Sequence, residues 1–283
     1  MIEATNFGGL PLEYSRVDTA KVVIVPVPYD GTTTYMKGAD KGPEAIIQAS
    51  GNMELYDIET DSQVYLHGIF TDEPVDSGPE PRKMSNAVEQ RVSSHLANDK
   101  FVIVLGGEHS VSVGAVQAHA RKYPGMTVLQ LDAHSDLRDH YEGSRYNHAC
   151  VMARVKEICP IVQVGIRSMD ISEKPALDRE RVFFAEDLHA GITGIDDIIG
   201  MLTDQVYITI DLDVFDPSIM PSTGTPEPGG LSWYEVLALL QEVCRRSAVV
   251  GFDVVELCPV ASNWGPDFMA AKLIYKLLSY RYG

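Results

Sequence analysis

Short, nearly continuous apolar runs rich in β-branched residues recur along the chain, at Lys21 to Pro26, Phe101 to Leu105, Thr127 to Leu131, Ile161 to Ile166, Val206 to Ile210 and Ala248 to Val255. Because they do not alternate with polar positions, they predict strands covered on both faces. Helical patterns fill the intervals at Gly42 to Ser50, Met84 to Ala97, Ser110 to Lys122, His148 to Glu157, Ser232 to Arg246 and Pro266 to Tyr280. Pro43 suits a first helical position, and Ser232 with Glu235 three residues on forms a capping-box pattern. Strand and helix alternate with no Pro/Gly/Ser-rich linker, low-complexity tract or repeat. The expectation is therefore one domain over residues 1–283, an α/β fold of three layers (α/β/α) around a mainly parallel sheet. Ligands of such sheets bind beyond the carboxyl ends of the strands, so the polar residues that follow each apolar run are the ones to weigh.

Three of those strand ends carry potential metal ligands. Phe101 to Leu105 leads into Gly106-Gly107-Glu108-His109-Ser110, where two glycines permit an unusual backbone path that delivers the His109 imidazole. Thr127 to Leu131 runs into Asp132-Ala133-His134-Ser135-Asp136, and an extended chain there would point Asp132, His134 and Asp136 to one face. Val206 to Ile210 ends in Asp211-Leu212-Asp213, again with carboxylates two residues apart, whereas Asp216 before Pro217 reads as a turn former. Singly, each motif has an ordinary alternative, such as a hydrogen-bonded structural histidine or a loop capped by aspartates. Jointly, four carboxylates and two imidazoles buried without a cation would suffer both desolvation and mutual repulsion. Six ligands suit two ions that share carboxylates roughly 3.5–4 Å apart better than one ion with open positions. An oxygen-rich set with two imidazoles and no thiolate favours two Mn²⁺ ions.

Composition narrows the partners. Apolar residues make up 45% and charged residues 22% of the 283, which is ordinary for a globular chain. A formal charge of −17 disfavours nucleic acid and anionic membrane and is compatible with a cationic small molecule. Cys150, Cys159, Cys244 and Cys258 form no Cys-x-x-Cys pair and read as reduced thiols. Neither a leader-like N-terminal stretch nor a membrane-length apolar segment is present, so a cytoplasmic protein is expected.

These motifs resemble the ureohydrolase family of arginases and agmatinases. Gly106 to His109, Asp132 to Asp136 and Asp211 to Pro217 match its signatures in order and strand context. Similarity extends from Gly38-Ala39-Asp40-Lys41-Gly42-Pro43, through Thr223 to Gly230, to Phe268-Met269-Ala270-Ala271-Lys272. The resemblance implies an arginase-like fold and a homotrimer or homohexamer. It implies one manganese on His109, Asp132, Asp136 and Asp211 and another on Asp132, His134, Asp211 and Asp213. Asp253-Val254-Val255-Glu256-Leu257-Cys258-Pro259 is similar to the family motif whose glutamate grips the guanidinium, which points to Glu256, with Asp253 in a supporting place. His148 falls at the family's loop histidine, a proton shuttle near the leaving amine, although Ala149 follows where many members have glycine. Asp213 would accept a proton as the tetrahedral intermediate collapses.

After Asp136 the chain reads Leu137-Arg138-Asp139-His140-Tyr141-Glu142-Gly143, which resembles the agmatinase branch and lacks the arginase loop that binds an amino-acid head group. Hydrolysis of agmatine to putrescine and urea is the leading expectation. Guanidinobutyrate, guanidinopropionate and aminopropylagmatine are alternatives. Asp139 or Glu142 could attract an ammonium tail, while Arg138 or Arg145 aimed into the pocket would favour a carboxylate. Among other classes, an Asp-x-Asp metal-dependent transferase would need a phosphate cradle that is not seen here. A zinc deacetylase would not need His109 or Glu256. A non-catalytic binding protein that kept the scaffold would not be expected to keep all six ligand positions filled.

Overall fold

The structure, a computed structural model, describes residues 6–76 and 78–283. Eight strands form one sheet: β1 (Val22–Val27), β2 (Ile69–Thr71), β3 (Phe101–Gly106), β4 (Thr127–Leu131), β5 (Ile161–Ile166), β6 (Val182–Phe184), β7 (Gln205–Asp211) and β8 (Ala248–Val255). Their order is β2-β1-β3-β8-β7-β4-β5-β6, and every pairing is parallel. The chain thus builds outward on one side with β1 to β3, crosses to the other with β4 to β6, and fills the centre with β7 and β8.

Alternate strand residues face opposite layers. Val22, Ile24, Ile103 and Leu105 join one core, with Ile46 of α1 (Gly42–Ser50). Leu237 and Leu240 of α7 (Trp233–Arg246) and Leu273 and Leu277 of α8 (Gly265–Tyr282) join the same core. Val23, Val25, Val102 and Val104 join the other, with Val88 of α2 (Pro81–Leu96), Val116 of α3 (Ser112–Lys122) and Val151 of α4 (Val151–Lys156). Helices therefore cover both faces, the three-layer arrangement the unbroken apolar runs predict.

The differences lie at edges and helix starts. The three-residue strands β2 and β6 and the five-residue helices α5 (Ala185–His189) and α6 (Ile195–Ile199) are too short to show a period, and the sequence reading lacks them. Helix α2 begins at Pro81 rather than Met84, because Pro suits a first turn whose N–H groups have no partners. The helices expected from Ser110 and His148 are instead each preceded by a 3₁₀ turn, His109–Val111 and His148–Cys150. All four cysteines are free, with Cys244 half-buried and the others buried.

The buried Lys276 ammonium of α8 lies 3.0 Å from Asp57 and 2.5 Å from Glu59. Removing one member of a buried pair strands the other charge, so Lys276→Met is expected to lose roughly 3–5 kcal/mol at pH 7. Although burial works against it, hydrogen bonds from Thr60 and Lys276 hold the Asp57 carboxyl below its ordinary range. A depressed carboxyl contributes stability above its unfolded pKa and loses it as pH falls. The gap between wild type and variant in urea melts should accordingly narrow below about pH 4.

Candidate metal centre

The carboxyl ends of four adjacent central strands, β3, β8, β7 and β4, supply the site. Gly107 makes the first turn possible, since a Cβ there would lie 2.0 Å from the Tyr29 carbonyl oxygen. The chain then turns through His109, whose ring is buried against three carboxylates. Its Nδ1 stands 3.1 Å from Asp132, 3.0 Å from Asp136 and 3.4 Å from Asp211. His134 Nδ1 lies 2.9 Å from Asp213 and 3.7 Å from Asp132. Two groups have ligand atoms close enough to hold an ion, His109 with Asp132 and Asp211, and Asp132 with His134 and Asp213. Asp132 belongs to both.

The six side chains converge, but not by the strand alternation expected of them. After Asp132 the backbone leaves the strand, and Asp136 sits at φ 52°, in the left-handed region. Asp211 and Asp213 are brought together by a 3₁₀ turn, Leu212–Val214, in which the Asp211 carboxylate accepts the Asp213 N–H at 2.9 Å. Local side-chain bonds to backbone thus override extended geometry at both motifs.

Neighbouring groups fix the ligands. His109 Nε2–H donates to Thr209 Oγ1 (2.9 Å), whose hydroxyl donates to Asp253 (2.6 Å), and Tyr207 donates to the other Asp253 oxygen (2.7 Å). That chain orients the ring and leaves Nδ1 bare toward the carboxylates. Nδ1 is buried and makes no hydrogen bond, a lone pair aimed at the place where a cation would sit. Gln130 donates to Asp132 (2.7 Å), as does the His134 N–H (2.6 Å), and the Ala133 N–H donates to Asp213 (3.0 Å).

Electrostatics point the same way. Burial, then the neighbouring Asp132 charge, pushes Asp136 up to about 7, and burial with Asp213 and Asp132 raises Asp211 far above a carboxylate's usual range. Burial opposes a charge on His134, yet Asp213 and Asp132 lift it to about 12. Against its burial, His109 and His134 hold Asp132 below its ordinary range. Asp132 thus draws on both imidazoles while Asp136 and Asp211 are left raised, the pattern of a site short of positive charge that divalent cations would supply. The donors present fit two such ions.

Glu256, just past β8 at φ 65°, accepts the His109 N–H at 2.7 Å. Burial, followed by the Glu108 charge, raises its carboxyl to about 8. Glu256 and His148 line an open cavity of about 290 Å³ together with the cluster, Arg138, Tyr141, Asp170 and Glu173. This volume is at the low end for a ligand site, and the cavity is open to the surface, so the tail of a linear ligand can extend beyond it.

Arg138 is paired, not free. Its guanidinium lies 3.5 Å from Glu173 and 3.7 Å from Asp170, over the Tyr141 ring at 4.5 Å. Asp139 does not line the cavity and pairs outward with Arg145 (3.2 Å) and Arg154 (2.9 Å). Glu142, at φ 47°, forms a tight turn with Gly143. Asp216 shapes a turn as expected, accepting from Ser218, Gly229 and Gly230.

Sequence reasoning missed Glu108, Thr32 and Glu173. Glu173 is buried, accepts from Ser135 Oγ and the Leu137 N–H, and so braces the Asp132–Asp136 segment. Its one sequence signal is the Asp170-x-x-Glu173 capping-box spacing.

A three-layer parallel fold bearing two acid–imidazole groups at its carboxyl edge fits a metal-dependent hydrolase. The model of the arginase family matches residues 20–279, and the chain belongs to that family. It is a ureohydrolase that acts on guanidino compounds. It is 42% identical to the N(1)-aminopropylagmatine ureohydrolase of Synechocystis sp., over 92% of this chain and 89% of the relative. It is 36% identical to the agmatinase of Pyrococcus horikoshii, over 96% and 97%. The crystal structure of the agmatine ureohydrolase of Thermoplasma volcanium superposes with a TM-score of 0.85 at 32% identity, covering 99% of this chain and 93% of that one. No helix among the described residues is long and apolar enough to cross a membrane.

Proposed function

We propose that this chain hydrolyses an amine-tailed guanidino compound, with N(1)-aminopropylagmatine as the first substrate and agmatine as the second. The observation that carries the tail is the wall of the cavity: among the described residues Arg138 is the one Lys or Arg lining it, and Asp170, Glu173 and Tyr141 hold its charge. A carboxylate tail would meet an occupied guanidinium and two carboxylates, whereas an ammonium tail meets net negative charge. The sequence-based reading puts agmatine first with aminopropylagmatine among its alternatives, and the 42% identical relative named for the longer amine supports the reversed order.

Two Mn²⁺ ions are the proposed cofactor. His109, Asp132, Asp136 and Asp211 would hold one and Asp132, His134, Asp211 and Asp213 the other, with Asp132 and Asp211 shared. When bound, the ions supply a hydroxide-strength nucleophile from water at neutral pH. Glu256 would pair with the guanidinium and aim its carbon at that nucleophile. Asp213 would take up the hydroxyl proton as the tetrahedral intermediate collapses. His148 would receive that proton and pass it to the departing nitrogen, so that a neutral amine leaves and urea remains. The reading includes a cytoplasmic homotrimer or homohexamer.

Urea release by manganese-loaded protein tests it, across N(1)-aminopropylagmatine, agmatine, arginine, guanidinobutyrate and guanidinopropionate. The expected order of kcat/KM puts both amine-tailed compounds at least about tenfold, roughly 1.4 kcal/mol, above the rest. Dominant turnover of an acid-tailed compound would reject the proposal, and a clear preference for agmatine would select the second substrate.

A further inference from the structure

The buried Glu108 carboxylate collects four donors: Thr32 N–H (2.6 Å), Thr32 Oγ1 (2.5 Å), Thr33 Oγ1 (3.2 Å) and Ser110 Oγ (2.5 Å). It thus ties the 32–33 segment to the end of β3, beside His109. Thr32 Oγ1 in turn lies 3.0 Å from the His148 backbone N–H and 3.2 Å from His148 Nδ1.

A hydroxyl has one proton and two lone pairs. The Thr32 proton lies on the shortest of these contacts, toward Glu108, so its lone pairs face His148. The backbone N–H can only donate to one of them. The remaining lone pair requires a donor at Nδ1. Burial pushes the His148 pKa down to about 4, so near neutral pH the ring has a single N–H to place.

We propose that Glu108 and Thr32 form a positioning relay that holds His148 as its Nδ1–H tautomer, leaving Nε2 as the nitrogen that exchanges protons in the cavity. The tautomer follows from the hydrogen bonds alone, while its catalytic consequence rests on the proton-transfer role proposed for His148. Tyr141 packs edge-on against the ring, with centroids 6.3 Å apart at 90°, and limits its rotation. The relay explains why a buried glutamate sits next to a candidate ligand without being one. It holds a loop threonine whose hydroxyl reads out which ring nitrogen is protonated.

The test is ¹⁵N spectroscopy of histidine-labelled, metal-free protein at pH 7.5, with the His148 signals identified by their loss in His148→Gln. Wild type should show His148 protonated at Nδ1 and bare at Nε2. Thr32→Val should shift the ring toward the other tautomer. After manganese loading, its kcat should fall roughly 10–100-fold with KM and metal content unchanged, as when an outer partner of a functional group is lost. Thr32→Ser, which keeps the hydroxyl, should restore both signal and rate. A wild-type ring protonated at Nε2 would overturn the relay, as would a Thr32→Val protein with an unaltered tautomer. The wild-type spectrum decides even where Thr32→Val does not fold. It is also independent of the substrate panel, so a wrong substrate class leaves this result standing.

Discussion

Asp132→Ala is expected to bind neither ion at stoichiometric manganese and to lose kcat/KM by on the order of 10³ or more, about 4 kcal/mol of transition-state stabilisation. Asp132 is the residue common to both acid–imidazole groups, and it is fully buried. Truncating it removes a ligand from each proposed ion at once, and leaves His109 Nδ1 facing only Asp136 and Asp211. Metal analysis after gel filtration, with a urea assay on the same sample, checks both halves. A variant that keeps two ions per chain would show that Asp132 does not bridge. The stability of the apo-protein should fall, because the Gln130 amide and the His134 N–H lose their buried acceptor.

Glu256→Gln separates substrate binding from metal binding. The substitution keeps the shape and still offers an oxygen to the His109 N–H, which the wild-type carboxylate accepts at 2.7 Å. What it removes is the negative charge that would pair with the guanidinium. Loss of one partner from a buried charge pair costs about 2–5 kcal/mol, so kcat/KM should fall roughly 30- to 4,000-fold. Manganese content should remain at two per chain. Loss of metal together with activity would place Glu256 in the metal centre and leave the guanidinium without its proposed anchor.

The fold was legible in sequence wherever burial on both faces left an unbroken apolar run. All six predicted strands are present, since short runs of buried Val, Ile and Leu, such as Val22 to Val25 and Val102 to Leu105, fit the middle of a covered parallel sheet. Edge strands β2 and β6 carry three residues each and look like any loop. The six candidate ligands were legible because their residue types are costly to bury together. The way they converge was not, since the motif spacing also fits an extended strand, while bonds from the His134 and Asp213 N–H groups to the Asp132 and Asp211 carboxylates turn the backbone instead. Glu108 stood inside a recognised motif without revealing its function. Its partners Thr32 and Thr33 lie more than seventy positions away, and nothing in spacing joins them.

Strand order also fixes when the six proposed ligands can meet. His109 follows β3 and Asp132 follows β4, yet β8 and β7 separate those strands in the finished sheet. Neighbouring strands are spaced about 4.8 Å, so two vacant lanes divide the halves until the last-made strands slide in. A chain emerging from the ribosome with only β1 to β6 complete has neither Asp211 nor the backbone that brings His109 and Asp132 within reach of one ion. The six proposed ligands therefore meet only once β7 and β8 fill the centre of the sheet, so the two-ion set is completed by the last strands to be made.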